Sequence, residues 1–250
     1  MKILVPTKRV VDTDQKIRAS ADGSQLEIDH LPFVINPFDA IALEEAVRIG
    51  EQSSTEVEVV AVGIGAEEYE EQLRSAIAVG ATRAVRIACG IGLDPWNVAC
   101  VLKAFIASES PDFVLMGKQA VDDDSNQAGQ FLAALLGWPQ ATFASQLEIT
   151  DNGLRIHRET DSGIEVVAMP VPAIITTDLR LNEPRYASLP AIMRARKREI
   201  EVVELGSLGV EIEPRVRVHK FSTEQSSRTC TRVDSVDQLL DRLRTEAEVL

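Results

Sequence analysis

The sequence predicts an α/β protein in which helices flank a parallel sheet, with antiparallel hairpins beside the sheet and an extended C-terminal arm. Short apolar runs alternate with segments of helical spacing at least four times before Trp138, which is the pattern of a Rossmann-like, nucleotide-binding sheet with right-handed crossovers. The run 113–116 is apolar without interruption, as in a strand buried on both faces. After Trp138 the runs are short and are separated by the turns 151–153 and 161–163, which predicts hairpins.

Each element has its own signal. The first long helix has Asn36 as a good N-cap, Pro37 at its first position and Asp39 in its first turn. Gly80 is placed to end the next helix. In chain order, strands are predicted over 2–5, 57–62, 84–87, 113–116 and 172–176, hairpin strands over 145–150, 154–160 and 164–169, a small hairpin over 17–28, and helices over 37–50, 67–80, 98–107, 131–136 and 236–243.

The polar loop 117–127, which follows the strand 113–116 and leads into a helix, is the strongest candidate for a ligand site. A strand that feeds a helix through such a loop presents free backbone N–H groups and a positive dipole end to an anion, most often a phosphate. Ser125, Asn126 and Gln127 add hydroxyl and amide donors at the helix entrance.

Three consecutive aspartates, at 122–124, allow two other interpretations of this loop. Carboxylates repel phosphate and are able to cap a helix, so an acidic cap on an ordinary turn is one alternative. A divalent-metal site is the other, although adjacent aspartates rarely converge on a metal without a further ligand. The chain contains no G-x-x-x-x-G-K-[ST] motif, so the loop is not a Walker loop.

In sheets of this class, ligands bind beyond the carboxyl ends of the strands. That rule brings together Pro6, the helix entrance 36–38, the segment 63–65 and the loop 117–127. The pair of glycines in 63–65 suggests close approach of the backbone to a ligand. Phe38 either packs into the core or faces the ligand.

Composition and charge exclude several classes of protein. The chain has 250 residues, of which 45% are hydrophobic, and a net charge of -13, which argues against nucleic acid and anionic membranes as partners. No apolar stretch approaches membrane-spanning length and a strand starts at Lys2, so we expect neither a membrane segment nor a signal peptide. Three cysteines without a C-x-x-C motif fit a reducing compartment, and we expect a cytoplasmic protein.

The sequence does not indicate catalytic chemistry. The three histidines are scattered without ligands at metal spacing, and there is no G-x-S-x-G motif. Arg180, Glu183 and Arg185 are candidates for catalysis, but charged loop residues more often form surface salt bridges. The sequence therefore predicts a nucleotide holder without catalytic machinery of its own.

Three segments resemble the small (β) subunit of electron-transfer flavoprotein, and the resemblance covers nearly the whole chain. They are GKQAVDDDSNQAGQ, WPQATFASQ and DLRLNEPRYASLPAIMRARKREIE. In that family the β subunit pairs with a larger α subunit, and together they carry one redox-active FAD held mainly by α. The resemblance implies an electron carrier, not an enzyme, which accepts electrons from acyl-CoA and related flavin dehydrogenases and passes them to a membrane quinone oxidoreductase.

The resemblance also implies a redox-inert, structural AMP in this subunit, with Phe38 near the FAD. Members that bifurcate electrons hold a second FAD instead and tend to have D-G-D-T in the loop, whereas Asp123 and Asn126 here resemble the AMP type. The implied AMP-binding residues are Pro6, Asn36, Pro37, Phe38, Asp39, Ile64, Gly117, Lys118, Gln119, Ala120, Val121, Asp122, Asp123, Asp124, Ser125, Asn126, Gln127 and Ala128. They agree with the strand-end set that follows from the fold alone.

The resemblance places a partner-recognition loop in the later motif. Its leucine, Leu189 here, inserts into a hydrophobic pocket of the dehydrogenase in the family. The implied recognition residues are Leu189, Pro190, Ile192, Met193, Arg194, Arg196 and Lys197. The residues alone also allow a helix that packs Leu189, Ile192 and Met193 into its own domain. Glu159 is implied to restrain the mobile flavin domain of α through an arginine.

Two departures limit what the resemblance implies. Thr13 stands where animal members have a tyrosine near the flavin, and Arg194 replaces a lysine that is methylated in animal members.

We expect a nucleotide-binding domain over 1–189, and a recognition region and C-terminal arm over 190–250 that packs on the partner subunit. Two other functions remain open: an enzyme that activates or hydrolyses adenine nucleotides, and a nucleotide-sensing module without redox partners.

Overall fold

A computed structural model describes residues 1–223 and 230–250, and its main feature is a nine-stranded sheet. The strands are β1 (Lys2–Pro6), β2 (Arg9–Val11), β3 (Phe33–Ile35), β4 (Glu58–Gly65), β5 (Arg83–Ala88), β6 (Phe113–Gly117), β7 (Gln140–Thr150), β8 (Gly153–Thr160), β9 (Gly163–Met169), β10 (Ala173–Thr177) and β11 (Glu201–Glu204). The helices are α1 (Pro37–Gln52), α2 (Tyr69–Val79), α3 (Pro95–Glu109), α4 (Ala128–Leu136), α5 (Leu189–Ala195) and α6 (Val236–Thr245).

The strand order of the large sheet is β11-β5-β4-β1-β6-β10-β7-β8-β9. Every neighbouring pair from β11 to β7 is parallel, whereas β8 and β9 add on as antiparallel strands. Strands β2 and β3 form a separate antiparallel pair. The predicted α/β class and the added hairpins are confirmed.

Two apolar layers cover the sheet, one on each face. In β1, Ile3 and Val5 pack with residues of α1 and α2, whereas Leu4 packs with residues of α3 and α4. This division follows from the strand, since successive side chains point to opposite faces. Strand β6 is buried along its whole length, as its unbroken apolar run predicts.

Helix α1 begins at the predicted residue, but not with the predicted cap. Pro37 occupies the start of the helix, and Asn36 O accepts the N–H groups of Asp39 and Ala40, each at 2.9 Å. The side chain of Asn36 makes no cap hydrogen bond. Its side-chain amide instead forms hydrogen bonds with the loop after β6. The sequence therefore predicted the position of Asn36 before the helix correctly, but not the contact that its side chain makes.

The hairpins β7–β8 and β8–β9 close at the predicted turns. Gly153 and Gly163 are the last residues of these turns and have φ of 129° and 130°, a conformation that glycine adopts without strain. The smaller hairpin predicted over 17–28 is present in a short form, with one antiparallel bridge between Ala19 and Leu26 and backbone hydrogen bonds on either side of it, from Ser20 N–H to Gln25 O and from Glu27 N–H to Arg18 O, each at 2.9 Å. Within that turn the side chains of Ser20 and Asp22 accept backbone N–H groups, from Gln25 and Ser24, as is common for Ser and Asp in turns.

The first part of the predicted C-terminal arm packs against the large sheet of its own chain. Strand β11 pairs with β5 at the edge of the large sheet, and Leu205, Leu208 and Ile212 pack against one of its apolar layers. One compact unit therefore comprises Met1–Ile17 and Ile28–Val218, and a second comprises Arg18–Glu27 and His219–Leu250. A four-residue strand among charged neighbours gives too short a signal to be recognised in the sequence.

Over the described ranges 1–223 and 230–250, no helix combines the length and the apolar character that crossing a membrane requires. The final amphipathic helix is present as α6, within the predicted region.

Candidate functional site

The candidate site lies at the point where the strand order reverses. From β1 the chain continues to β4 and β5 on one side, and then returns to β6 on the other side of β1. The crevice beyond the carboxyl ends of strands at such a switch point is where α/β sheets bind ligands. Pro6 ends β1 and Gly117 ends β6, so two of the predicted site residues border this crevice.

Two residues of the first turn of α1 connect these strand ends. Asp39 is 6% exposed and accepts the backbone N–H of Lys8 at 2.8 Å and that of Gly117 at 2.9 Å. Asn36 is 1% exposed; its amide donates to Gln119 O at 2.9 Å and accepts from the N–H of Val121 at 3.1 Å. The loop after β6 is therefore held by side chains of α1 and not by its own residues alone.

Gly117 has a steric role at this junction. A Cβ atom on this residue would overlap the carboxylate of Asp39 and the backbone of Phe38. Glycine is consequently required for the end of β6 to approach the start of α1 this closely.

Burial shifts the pKa of Asp39. Removal from water raises the pKa of this carboxyl to about 6, while the backbone N–H groups of Lys8 and Gly117 act in the opposite direction with smaller effect. The carboxyl is thus ionised near neutral pH, where both of its oxygens accept hydrogen bonds.

Lys8 neutralises part of the acidic loop. Its Nζ lies 2.8 Å from Asp122 Oδ1 and 2.9 Å from Asp123 Oδ2. Burial lowers the pKa of Lys8, but the hydrogen bonds to both aspartates outweigh burial and raise it overall. The single charge of Lys8 therefore offsets one of the three negative charges of the loop, which reduces their repulsion toward a phosphate.

The end of the loop leads into α4 in an unusual backbone conformation. Asp124 and Asn126 have φ of 52° and 48°, values that Asp and Asn tolerate better than most residues. Asn126 Oδ1 accepts from the side chain of Gln130 at 2.9 Å. Among the described residues, no carbonyl accepts the N–H groups of Ala128, Gly129 or Gln130 in the first turn of α4.

These contacts bear on two of the interpretations of the three aspartates. The N-cap position of α4 is Gln127, which makes no side-chain cap hydrogen bond, so the acidic-cap interpretation is wrong. In the part of the chain that the structure describes, no three His, Cys, Asp or Glu side chains are grouped so as to hold a metal ion. The anion-site interpretation is the one that the free N–H groups support.

Lys118 and Phe38 belong to a second group of contacts beside the loop. Lys118 Nζ lies 2.8 Å from Asp178 Oδ2, 5.3 Å from the ring centre of Phe38 and 4.7 Å from that of Phe143. Phe38 itself is 7% exposed. Its ring is therefore largely buried within this chain, beneath a lysine whose charge is paired.

The glycines of 63–65 make room for a side chain of α2. A Cβ atom on Gly65 would overlap the ring of Tyr69, and one on Gly63 would lie 3.0 Å from the same ring. The two glycines therefore admit the half-buried ring of Tyr69 from α2, which gives them a steric role within the chain; the close approach of a ligand to them stays a prediction. Ile64, between them, is half-buried against the apolar layer that contains β4.

The predicted recognition residues lie on the surface. Leu189 is 72% and Met193 is 50% exposed, whereas Ile192 is half-buried. The alternative in which Leu189 packs into its own domain is therefore wrong. Pro190, Arg194, Arg196 and Lys197 are exposed as well.

Charged loop residues near this surface form ion pairs, as the sequence favours. Arg180 Nη1 lies 2.6 Å from Glu159 Oε2, and Arg185 pairs with Glu44 and Glu51. Glu159 thus has a partner within its own chain.

Sequence reasoning missed several residues that build the site, among them Lys8, Tyr69, Phe143 and Asp178. For Lys8 and Asp178 a signal was present, since each charged residue follows a buried strand closely at the carboxyl end of the sheet. For Tyr69 and Phe143 no local signal exists, because both are defined by contacts across the fold.

Fold and site together define a Rossmann-like α/β protein with a polar loop, the candidate ligand site, at its switch point. The sequence profile of the electron transfer flavoprotein domain matches residues 26–208. Proteins called electron transfer flavoprotein subunit beta are 46% identical in Bradyrhizobium diazoefficiens over the full length of both chains, and 41% identical in Homo sapiens over 98% of this chain and 97% of the relative. A relative from Arabidopsis thaliana, described as mitochondrial, is 44% identical over the full length of both. The chain therefore belongs to the β subunits of the electron transfer flavoprotein family.

Proposed function

We propose that this chain pairs with an electron-transfer flavoprotein α subunit and holds AMP in the switch-point loop, as a carrier of electrons and not as an enzyme. The heterodimer would carry FAD mainly on α, with Phe38 on the β side of the flavin. It would accept electrons from acyl-CoA and related flavin dehydrogenases and deliver them to a membrane quinone oxidoreductase. We place it in the cytoplasm, without a membrane-embedded part.

The observation that carries the proposal is the loop 117–127 held over the end of β6 by Asn36 and Asp39. It leaves the first-turn N–H groups of α4 without carbonyl partners among the described residues, and a phosphate supplies oxygen acceptors for such groups. Gln130 Oε1 is a buried acceptor in the same turn with no partner among the described residues, and a ligand hydroxyl is able to donate to it.

The chemistry of these residues fits AMP. The backbone of Ser125–Ala128 and the α4 N-terminus would bind the phosphate, and the Asn126 amide nitrogen, which makes no described hydrogen bond, adds a donor. Lys8 bridges Asp122 and Asp123 and offsets one of their two negative charges, which reduces the repulsion of the acidic run toward a nucleotide anion. The loop has Asp123 and not the glycine of D-G-D-T members, which favours AMP over a second FAD.

The surface around Leu189 supports docking of an electron donor. An exposed leucine and an exposed methionine lie beside Arg194, Arg196 and Lys197, in a chain of net charge -13. A small apolar contact next to a basic patch is suited to recognition of an apolar pocket with an acidic rim. Because this contact with the dehydrogenase is small, the flavin domain of α would remain free to move while the dehydrogenase is bound.

Co-expression with an α subunit and analysis of the released nucleotides test the proposal. We expect a yellow heterodimer that, after denaturation, yields AMP and FAD in about equal amounts on chromatography. Asn126→Gly retains the left-handed backbone conformation but removes the amide, and should lower the AMP content while the FAD content and spectrum remain as in the parent. Two FAD and no AMP per heterodimer would contradict the assignment, as would an unchanged AMP content in Asn126→Gly.

A further inference from the structure

The docking segment, residues 186–194, is exposed along most of its length and yet is held at both ends. Tyr186 is 99% and Leu189 is 72% exposed. Before the segment lies Arg185, which bonds α1, and after it lie Ala195, which is 2% exposed, and the turn that follows α5. The chain therefore presents apolar side chains between two fixed points.

At the first fixed point Glu44 of α1 binds Arg185. Its Oε2 accepts from Arg185 Nε at 2.8 Å and from the backbone N–H at 3.2 Å, and Oε1 accepts from Nη2 at 3.1 Å. The Glu44 side chain is 1% exposed, whereas that of Glu51, which pairs with the other side of the same guanidinium, is 56% exposed. A buried two-oxygen contact fixes the orientation of the guanidinium and of the backbone that precedes Tyr186.

Further contacts with α1 hold the approach to this point. Asn182 donates from Nδ2 to Ile41 O at 3.1 Å, and Arg48 donates to Glu183 O at 2.9 Å. Arg48 also pairs with Glu44. The strand-to-segment connection is thus bonded to α1 over several residues.

At the second fixed point Arg74 of α2 binds the end of the segment. Its Nη1 donates to Arg198 O at 2.6 Å and to Arg196 O at 3.3 Å. Carbonyl groups at the C-terminal end of a helix lack partners within the helix, and a guanidinium is able to satisfy them. Arg198 in turn donates to Thr82 O at 3.0 Å.

We propose that Glu44, through Arg185, and Arg74 are positioning residues that hold the docking segment in its binding conformation before the dehydrogenase arrives. The inference rests on the proposed function, since it takes 186–194 as the docking surface. A segment ordered in advance loses less conformational entropy on binding. The two contacts therefore act on affinity for the electron donor and leave the electron-transfer step itself unchanged.

The heterodimer reduced by an acyl-CoA dehydrogenase and its acyl-CoA substrate provides the test. Glu44→Gln should raise the KM for the dehydrogenase about tenfold at unchanged kcat, a change within the range expected when an ordered segment is released. Hydrogen exchange of the amides 186–193 should become faster in the free heterodimer. Glu51→Gln is the matched control, because it removes an exposed carboxylate from the same guanidinium, and it should change neither KM nor exchange by more than about twofold.

Arg74→Gln tests the second contact. It also provides a result if Glu44→Gln does not fold. It should accelerate exchange over 191–198 and raise KM in the same way. The inference is overturned if Arg74→Gln, and Glu44→Gln where it folds, show the same exchange rates and the same KM as the parent. This holds even if Leu189→Ala abolishes docking. If Leu189→Ala leaves reduction unchanged, the docking role is itself wrong and the inference falls with it.

Discussion

At the scale of single residues, Asp39 shows why the site needs a carboxylate at the start of α1. Two backbone N–H groups, from Lys8 and Gly117, point at one side chain. An ionised carboxylate offers two acceptor oxygens and no donor, whereas an asparagine would turn an NH2 group toward one of the two N–H groups. The buried charge is tolerated because these bonds compensate part of the lost hydration.

The raised pKa of Asp39 makes a prediction about stability and pH. In the unfolded chain the carboxyl titrates near 3.8, and in the folded chain near 6, so the folded state holds the proton more tightly between these values. The contribution of Asp39 to the free energy of unfolding therefore falls as pH rises from about 4 to about 6, by up to roughly 3 kcal/mol. Denaturant unfolding of the parent and of Asp39→Asn across this range measures the difference.

Asp22 provides the control for this measurement. The backbone N–H of Ser24 and nearby hydroxyl groups lower the pKa of this exposed carboxyl to about 2. The stabilisation that ionised Asp22 provides is therefore fully present above about pH 4. The difference in free energy of unfolding between the parent and Asp22→Asn should stay level from pH 4 to 6. A level difference for Asp39→Asn as well would show that its pKa is not raised.

At the scale of secondary-structure elements, α5 shows that an apolar cluster does not reveal what it faces. Leu189, Ile192 and Met193 recur at helical spacing, yet the first and last are at least half exposed and only Ile192 is partly covered. The helix has seven residues, too few to form without support from neighbouring elements.

Leu189→Ala separates a docking role from a role in the core. Because Leu189 is exposed, we expect the variant heterodimer to melt like the parent, to keep FAD and AMP, and to lose most of its reduction by the dehydrogenase, as for an interface anchor worth about 2 kcal/mol or more. Leu43→Ala is the control, since Leu43 is 1% exposed in α1 and its truncation should cost roughly 2–5 kcal/mol of stability. Rapid reduction of Leu189→Ala would contradict the docking role.

At the scale of the whole molecule, charge is distributed unevenly. The net charge is -13, but Arg194, Arg196, Lys197 and Arg198 follow one another closely beside the exposed leucine. A basic patch on an acidic protein concentrates attraction for an acidic partner at one place, and salt weakens that attraction. Elsewhere on this chain, exposed Arg180 pairs with the half-buried Glu159.

Glu159 provides a test of how the heterodimer moves. If an arginine of α uses Glu159 to restrain the flavin domain, Arg180 competes for the same carboxylate. Glu159→Ala should shift the populations of domain positions in small-angle scattering toward the unrestrained form, by a few-fold because exposed pairs contribute at most about 1 kcal/mol. Arg180→Ala should shift them in the opposite direction. Identical scattering from the parent and both variants would leave Glu159 as a surface carboxylate without this role.

Local pattern was enough to predict most elements and several of the residues that meet at the strand ends. The apolar run of β6, the proline at the start of α1 and the turns of the β7–β9 hairpins are short-range signals, because helix and strand periods are properties of neighbouring residues. The rule that parallel strands end at one edge then placed Pro6, Asn36 and the loop 117–127 together.

What the sequence determined by itself is therefore the α/β class, the residues at the strand ends and the family. Only the tertiary structure decided which groups meet: the Asn36 amide on the loop after β6, Lys8 between Asp122 and Asp123, and Tyr69 against Gly65. It also decided that β11 joins the sheet beside β5. These contacts join residues far apart in the chain, and their partners are selected by packing and burial of the whole fold, which no local pattern records.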